Sequence, residues 1–155
     1  MKIGCHISIA GGIQNAPERA GDLNCEVMQI FTRSPQGGGS KEISEIVAKE
    51  FKDNCRKYKI ENTYVHTPYY INLASANNRI RYGSVKAIRE ELERASRIGA
   101  KYVMTHLGSA KDLGKTAGEE KVAEMLRRAL SDYDGSSKLL LENSAGAGEI
   151  IGDKL

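Results

Sequence analysis

Three side chains stand out by type and by place. His66 closes the run Tyr64-Val65, His106 follows Val103-Met104-Thr105, and Glu142 follows Leu139-Leu140-Leu141. They lie 40 and 36 residues apart, the length of a strand plus a helix, so each takes the same position on successive apolar runs. In parallel α/β folds the carboxyl ends of the strands line the ligand site, so the three should converge. Two imidazoles and a carboxylate meeting there make a zinc shell, with bonds of about 2.0–2.2 Å. Such donors suit zinc better than magnesium, which prefers an octahedron of oxygens. A plainer alternative stays open on these residues alone, because strand-terminal histidines also serve as hydrogen-bonded structural groups.

The elements that must position them follow from hydrophobic patterning. Five short apolar runs predict strands at Lys2–His6, Val27–Phe31, Thr63–His66, Lys101–His106 and Lys138–Glu142. Most are near-continuously apolar before a polar end, as expected of strands covered by helices. Between them, apolar residues recur at helical spacing. The first helix is set by Ile13, Ala16, Ala20 and Leu23, with Pro17 acceptable in its first turn. The second carries Ile43, Ile46, Val47, Phe51, Cys55 and Tyr58, capped by Ser40 or Ser44. The third uses Val85, Ile88, Leu92, Ala95 and Ile98 and ends at Gly99, suited to a left-handed cap. The fourth opens on a capping box, Thr116-Ala117-Gly118-Glu119, and runs to near Gly135.

Strand–helix alternation of this kind builds either a doubly wound sheet or a (β/α)8 TIM barrel. With 155 residues the chain reads as one domain, residues 1–155. A complete barrel takes about 250 residues and eight strands. The expectation is therefore a truncated partial barrel of about five parallel strands and four helices, with the C-terminal strands absent.

Composition narrows the class further. With 40% hydrophobic and 28% charged residues, the chain is globular in type, and no apolar run is long enough to suggest a membrane span. No secretory pattern follows Met1-Lys2, and the expected compartment is cytoplasmic. Cys5, Cys25 and Cys55 are odd in number and form no Cys-x-x-Cys pair, so they read as buried thiols. A net charge of +3 is compatible with a polyanionic partner without requiring one.

Several segments together resemble a known family. Gly4-Cys5-His6-Ile7-Ser8-Ile9-Ala10-Gly11-Gly12, Gln29-Ile30-Phe31-Thr32, His66-Thr67-Pro68-Tyr69-Tyr70-Ile71-Asn72-Leu73-Ala74, His106-Leu107-Gly108-Ser109 and Glu142-Asn143-Ser144-Ala145-Gly146-Ala147-Gly148 are similar, in order and spacing, to signatures of endonuclease IV. The resemblance implies a TIM barrel with three zinc ions that hydrolyses DNA on the 5′ side of abasic sites. It also implies that His66 and His106 bind one zinc and that Glu142, the candidate catalytic carboxylate, bridges to a second. The family's further ligands lie on strands six to eight, beyond these residues, so the isolated chain is expected to have little or no activity.

DNA contacts are expected from His6 at the site floor or a phosphate, from Tyr69 at the extruded nucleotide, and from Arg33, with Lys41, at phosphates. The loop Gln36-Gly37-Gly38-Gly39 departs from the family, which commonly has a basic and an aromatic residue there. Glycines supply neither charge nor stacking area, so duplex distortion should be weaker. An unpaired strand-five edge would favour self-association or pairing with a partner. Two competing readings are a xylose-isomerase-like sugar isomerase or epimerase, which shares the barrel and the strand-end His and Glu ligands, and a non-catalytic half-barrel.

Overall fold

A computed structural model of the chain describes residues 1–145 and 148–153. Gly146 and Ala147, which belong to the last of the family-like segments, fall outside the described residues. The elements in chain order are β1 (Gly4–His6), a 3-10 turn (Ile13–Asn15), α1 (Ala16–Asp22), β2 (Val27–Ile30), α2 (Glu45–Lys57), β3 (Asn62–His66), α3 (Asn78–Ile98), β4 (Tyr102–Thr105), α4 (Lys115–Leu130) and β5 (Lys138–Leu141).

Local chemistry sets most helix ends. Pro17 sits in the first turn of α1, where its missing N–H costs nothing. Of the two cap candidates for α2 it is Ser44 that acts, its Oγ accepting from the Val47 N–H at 3.3 Å. Helix α3 begins a full two turns before Val85, because the Asn77 side chain accepts from Arg79 N–H and Ile80 N–H and so supplies a cap. It ends where expected, at Gly99, whose φ of 75° is the left-handed conformation that a side chain disfavours.

Helix α4 corrects the sequence reading at both ends. Its N-cap is Gly114, with no side-chain cap, and Thr116 lies inside the first turn rather than ahead of it. The last turn closes at Leu130 rather than near Gly135, because Ser131 is already extended and Asp132 takes a positive φ of 54°.

All five strands are parallel and pair in the order β1-β2-β3-β4-β5. Each is joined to the next by a helical connection. This is a partial (β/α)8 barrel of five strands and four helices, the predicted architecture. Among the described residues β1 and β5 each have one neighbour.

Period-two alternation divides the sheet into two faces. Met28, Ile30, Val65, Val103 and Thr105 point at the helices and are buried against Phe51, Ile88, Leu92, Ala95 and Met125. The opposite face carries Gln29, Tyr64, Tyr102, Met104 and Leu140, all half-buried, with the Tyr64 and Tyr102 rings stacked 5.5 Å apart. The thiols differ from expectation. Cys5 is exposed and Cys25 and Cys55 are half-buried, because Cys5 lies on the edge strand β1. Among the described residues no helix is long and apolar enough to cross a membrane.

Candidate metal centre

Strand register explains why the three candidate ligands meet. His66 pairs with Met104 across β3 and β4, and Met104 pairs with Leu140 across β4 and β5. Two residues further along, His106 and Glu142 fall on the same face as those partners, and the Glu142 N–H donates to the Thr105 carbonyl at 3.0 Å to extend the ladder. The His66 Nε2 and Glu142 Oε2 atoms are 3.2 Å apart, and His106 Nδ1 lies 3.6 Å from the same oxygen. One ligand atom from each residue lies within 4.8 Å of the others, a group that fits a metal ion.

Hydrogen bonding prepares His66 for that role. Its Nδ1 is 2.6 Å from the Thr67 carbonyl, which can only accept, so Nδ1 carries the proton and Nε2 presents a lone pair. That lone pair faces Glu142 Oε2, a buried oxygen with no hydrogen-bond partner. Two acceptors thus oppose each other across 3.2 Å. A positive charge between them, a metal ion or a proton, relieves that opposition, so the nitrogen and oxygen donor set fits a divalent cation such as zinc.

Behind the ligands, two fully buried threonines link the strand ends. The Thr67 hydroxyl donates to Thr105 Oγ1 at 2.9 Å, and the Thr105 hydroxyl donates to the His106 carbonyl at 2.9 Å. Sequence reading passed over both, although each sits next to a candidate histidine. Asn72 makes a second link, its Oδ1 accepting from Ala74 N–H at 3.1 Å and Ser109 N–H at 3.2 Å. Gly108 passes so close over Asn72, with φ of 102°, that a Cβ there would collide with it.

Aromatic rings pack along one flank. Phe31 lies 4.5 Å from the His6 ring, and 5.3 Å from both the His66 and the Tyr69 rings, measured between centroids. Phe31 was part of a family-like segment but had been given no role. Tyr69 remains 64% exposed on the rim. His6 is exposed and its Nδ1 sits 2.8 Å from Gln29 Oε1. The opening beside the ligands is a cleft of about 600 Å³ whose lining includes Tyr69, Tyr70, Ile71, His106, Glu142 and Ile150.

Arg33 is placed elsewhere. Its side chain is only 6% exposed, paired with Glu90 at 2.8 Å and with the fully buried Glu91. Burial pulls the guanidinium down, but the two carboxylates more than offset this and hold its pKa above the ordinary value. The charge expected at a phosphate is spent on α3. Lys41 offers its carbonyl to Arg94 at 2.8 Å. In the glycine loop, Gly38 and Gly39 have no heavy atom near where a side chain would start, and Gly37 lies against the Tyr70 ring.

Comparison with known proteins agrees with this fold. Residues 17–154 match the family described as Xylose isomerase-like TIM barrel. A protein named Probable endonuclease 4 from Halothermothrix orenii is 36% identical over 152 residues, covering 98% of this chain and 55% of that protein. The crystal structure of endonuclease IV from Thermus thermophilus superposes with a TM-score of 0.86 at 29% identity, over 99% of this chain and 56% of that one. A D-tagatose 3-epimerase-like protein shares the fold, with a TM-score of 0.70 at 22% identity over 97% of this chain and 56% of that chain. The chain spans about half the length of the relatives it matches. It belongs to the xylose isomerase-like TIM barrel family, with endonuclease IV as its sequence relatives.

Proposed function

We propose that the chain carries part of the zinc site of a DNA-repair endonuclease that hydrolyses the phosphodiester bond 5′ to abasic sites. The observation that carries this reading is the convergence of His66, His106 and Glu142 within 4.8 Å at three successive strand ends. His66 and His106 would hold one zinc ion, and the two oxygens of Glu142 would let it bridge to another. Zinc bound here would supply hydroxide near neutral pH and offset charge on the phosphoryl group.

The chain's own residues do the positioning. The Thr67 carbonyl keeps the His66 Nε2 lone pair turned toward Glu142. Tyr69 offers an exposed ring at the rim for the extruded abasic nucleotide, and His6 lies on the same aromatic flank for a phosphate. Arg33 is left out of the DNA surface because Glu90 and Glu91 neutralise it. With one three-residue ligand group among the described residues, the isolated chain has little or no nuclease activity, since in-line displacement needs partner ions at both oxygens. Among the described residues β5 has one neighbour, so the isolated chain would self-associate or pair along its other edge.

The fold shared with an epimerase-like protein favours a second reading, a sugar isomerase or epimerase. One set of measurements separates the readings. Metal analysis should find at most one zinc per chain, lost in His106→Ala, and abasic duplex DNA should bind with an affinity that falls as salt rises. Zinc content unaffected by His106→Ala would leave a non-catalytic half-barrel, and turnover of a ketose would establish the isomerase. Robust, chelator-sensitive incision of abasic duplex by these 155 residues would refute the claim of inactivity.

A further inference from the structure

We propose that Cys5 and Cys25 form a redox-modifiable dithiol, which a peroxide converts to an intramolecular disulfide bridging β1 to the entrance of β2. Their sulfurs are already 3.7 Å apart. The register sets Cys5 opposite Met28, three residues beyond Cys25, and the Glu26 N–H donates to the Ile3 carbonyl at 2.9 Å, which ties the chain just after Cys25 to the residue that precedes β1. The Cys25 N–H is itself held by the Ala20 carbonyl at 2.9 Å, which fixes this cysteine at the foot of α1. Cys5 is exposed, whereas Cys25 is half-buried and packed on the core, an arrangement of one accessible and one resolving thiol. The dithiol is independent of the metal centre's function.

The chemistry balances with a peroxide as oxidant. The Cys5 thiolate attacks one peroxide oxygen, the O–O bond breaks, and a sulfenic acid and one water result once the proton is returned. Cys25 then attacks the Cys5 sulfur, the S–O bond breaks, the S–S bond forms, and a second water leaves. Two thiols lose two electrons and the peroxide gains them. Disulfide formation closes the sulfurs from 3.7 Å to about 2.05 Å. The bridge would brace β1, a three-residue strand with one neighbour among the described residues.

Cys55 is the internal control. Burial pushes its thiol up to about 11, and the Cys5 thiol is also held above its ordinary value, first by its hydrogen bond with Cys25, so what sets Cys5 apart is its exposure and the sulfur beside it. After treatment with hydrogen peroxide, titration under denaturing conditions should fall from three free thiols to one, and dithiothreitol should restore all three. Tryptic cleavage after Arg19 separates the two cysteines, so the oxidised chain should yield peptides 3–19 and 20–33 joined by a disulfide. Cys55→Ser should still close, whereas Cys5→Ser and Cys25→Ser should not. The oxidised chain should melt about 6–12 °C higher, as expected when a loop of this size is cross-linked. Three thiols surviving peroxide, a Cys5–Cys5 dimer between chains, or a bridge involving Cys55 would each overturn the proposal.

Discussion

At the ends of β3, β4 and β5, two imidazoles and a carboxylate converge and leave a buried oxygen with no hydrogen-bond partner. Beyond β2, an equally dense cluster behaves in the opposite way. Arg33 is bonded to Glu90 and Glu91, the Thr32 hydroxyl donates to Glu91 at 2.6 Å, and Arg94 donates to the Thr32 hydroxyl at 2.7 Å and to the Thr32 carbonyl at 2.6 Å. Burial holds the Arg94 guanidinium below its ordinary value, while the neighbouring acids keep Arg33 above its own. The second cluster fastens the chain after β2 to α3 by pairing opposite charges, although the Arg33 Nη2 is also left buried with no hydrogen-bond partner. The first holds its groups in place without satisfying them. Where acids and bases neutralise one another the result is architecture, and where acceptors are left facing each other the result is a place for a cation.

The sharpest way to break this comparison is to remove the acid at the heart of the charge-paired cluster. Glu91→Ala strips the fully buried partner from Arg33 and the acceptor from Thr32, and should cost about 3–5 kcal/mol in urea unfolding. A loss under 1 kcal/mol would show that the cluster is not structural. Glu142→Gln tests the opposite case. It keeps the shape and removes the negative charge facing His66, so zinc affinity should fall more than about 100-fold, beyond the usual range for outer groups, while stability is unchanged or slightly higher. A fall in stability of several kcal/mol with zinc binding intact would reverse the two roles.

A smaller effect sharpens the boundary between them. Thr105→Val removes the hydroxyl that accepts from Thr67 and donates to the His106 carbonyl, and should weaken zinc or cobalt binding about tenfold. Thr105→Ser should recover it. Equal cobalt spectra and affinity in all three proteins would mean that the threonines only fill space.

These two regions also differed in how far the amino-acid sequence disclosed them. His66, His106 and Glu142 were legible because a parallel sheet presents the ends of its strands at one rim, and polar residues ending apolar runs mark that rim. Arg33 was not. A basic residue in a loop reads as solvated, and its partners lie 57 and 58 residues away on a helix. One signal existed: Glu91 falls within the apolar stripe of Ile88, Leu92 and Ala95, where a carboxylate must find a cation. The start of α4 misled because Thr-x-x-Glu matches a cap pattern, yet the backbone at Gly114, with φ of 78°, already turns into the helix. Phe31, Thr67 and Thr105 went without roles because their contacts join separate strands, and local patterning does not report such pairs.

The segment after β5 has a mechanical consequence for the rim. The Ala110 N–H donates to the Glu149 carbonyl at 2.7 Å, the Ile151 N–H to the Gly108 carbonyl at 3.0 Å, and the Ser144 N–H to the Gly152 carbonyl at 2.9 Å. Ile151 is buried, and Lys115 holds Asp153 at 2.7 Å. Residues 148–153 are therefore fastened like a buckled strap, to the loop after β4 and to Ser144. The rim at Gly108 to Ala110 is thereby held by backbone hydrogen bonds, whereas Gly38 and Gly39 have no heavy atom near where a side chain would start.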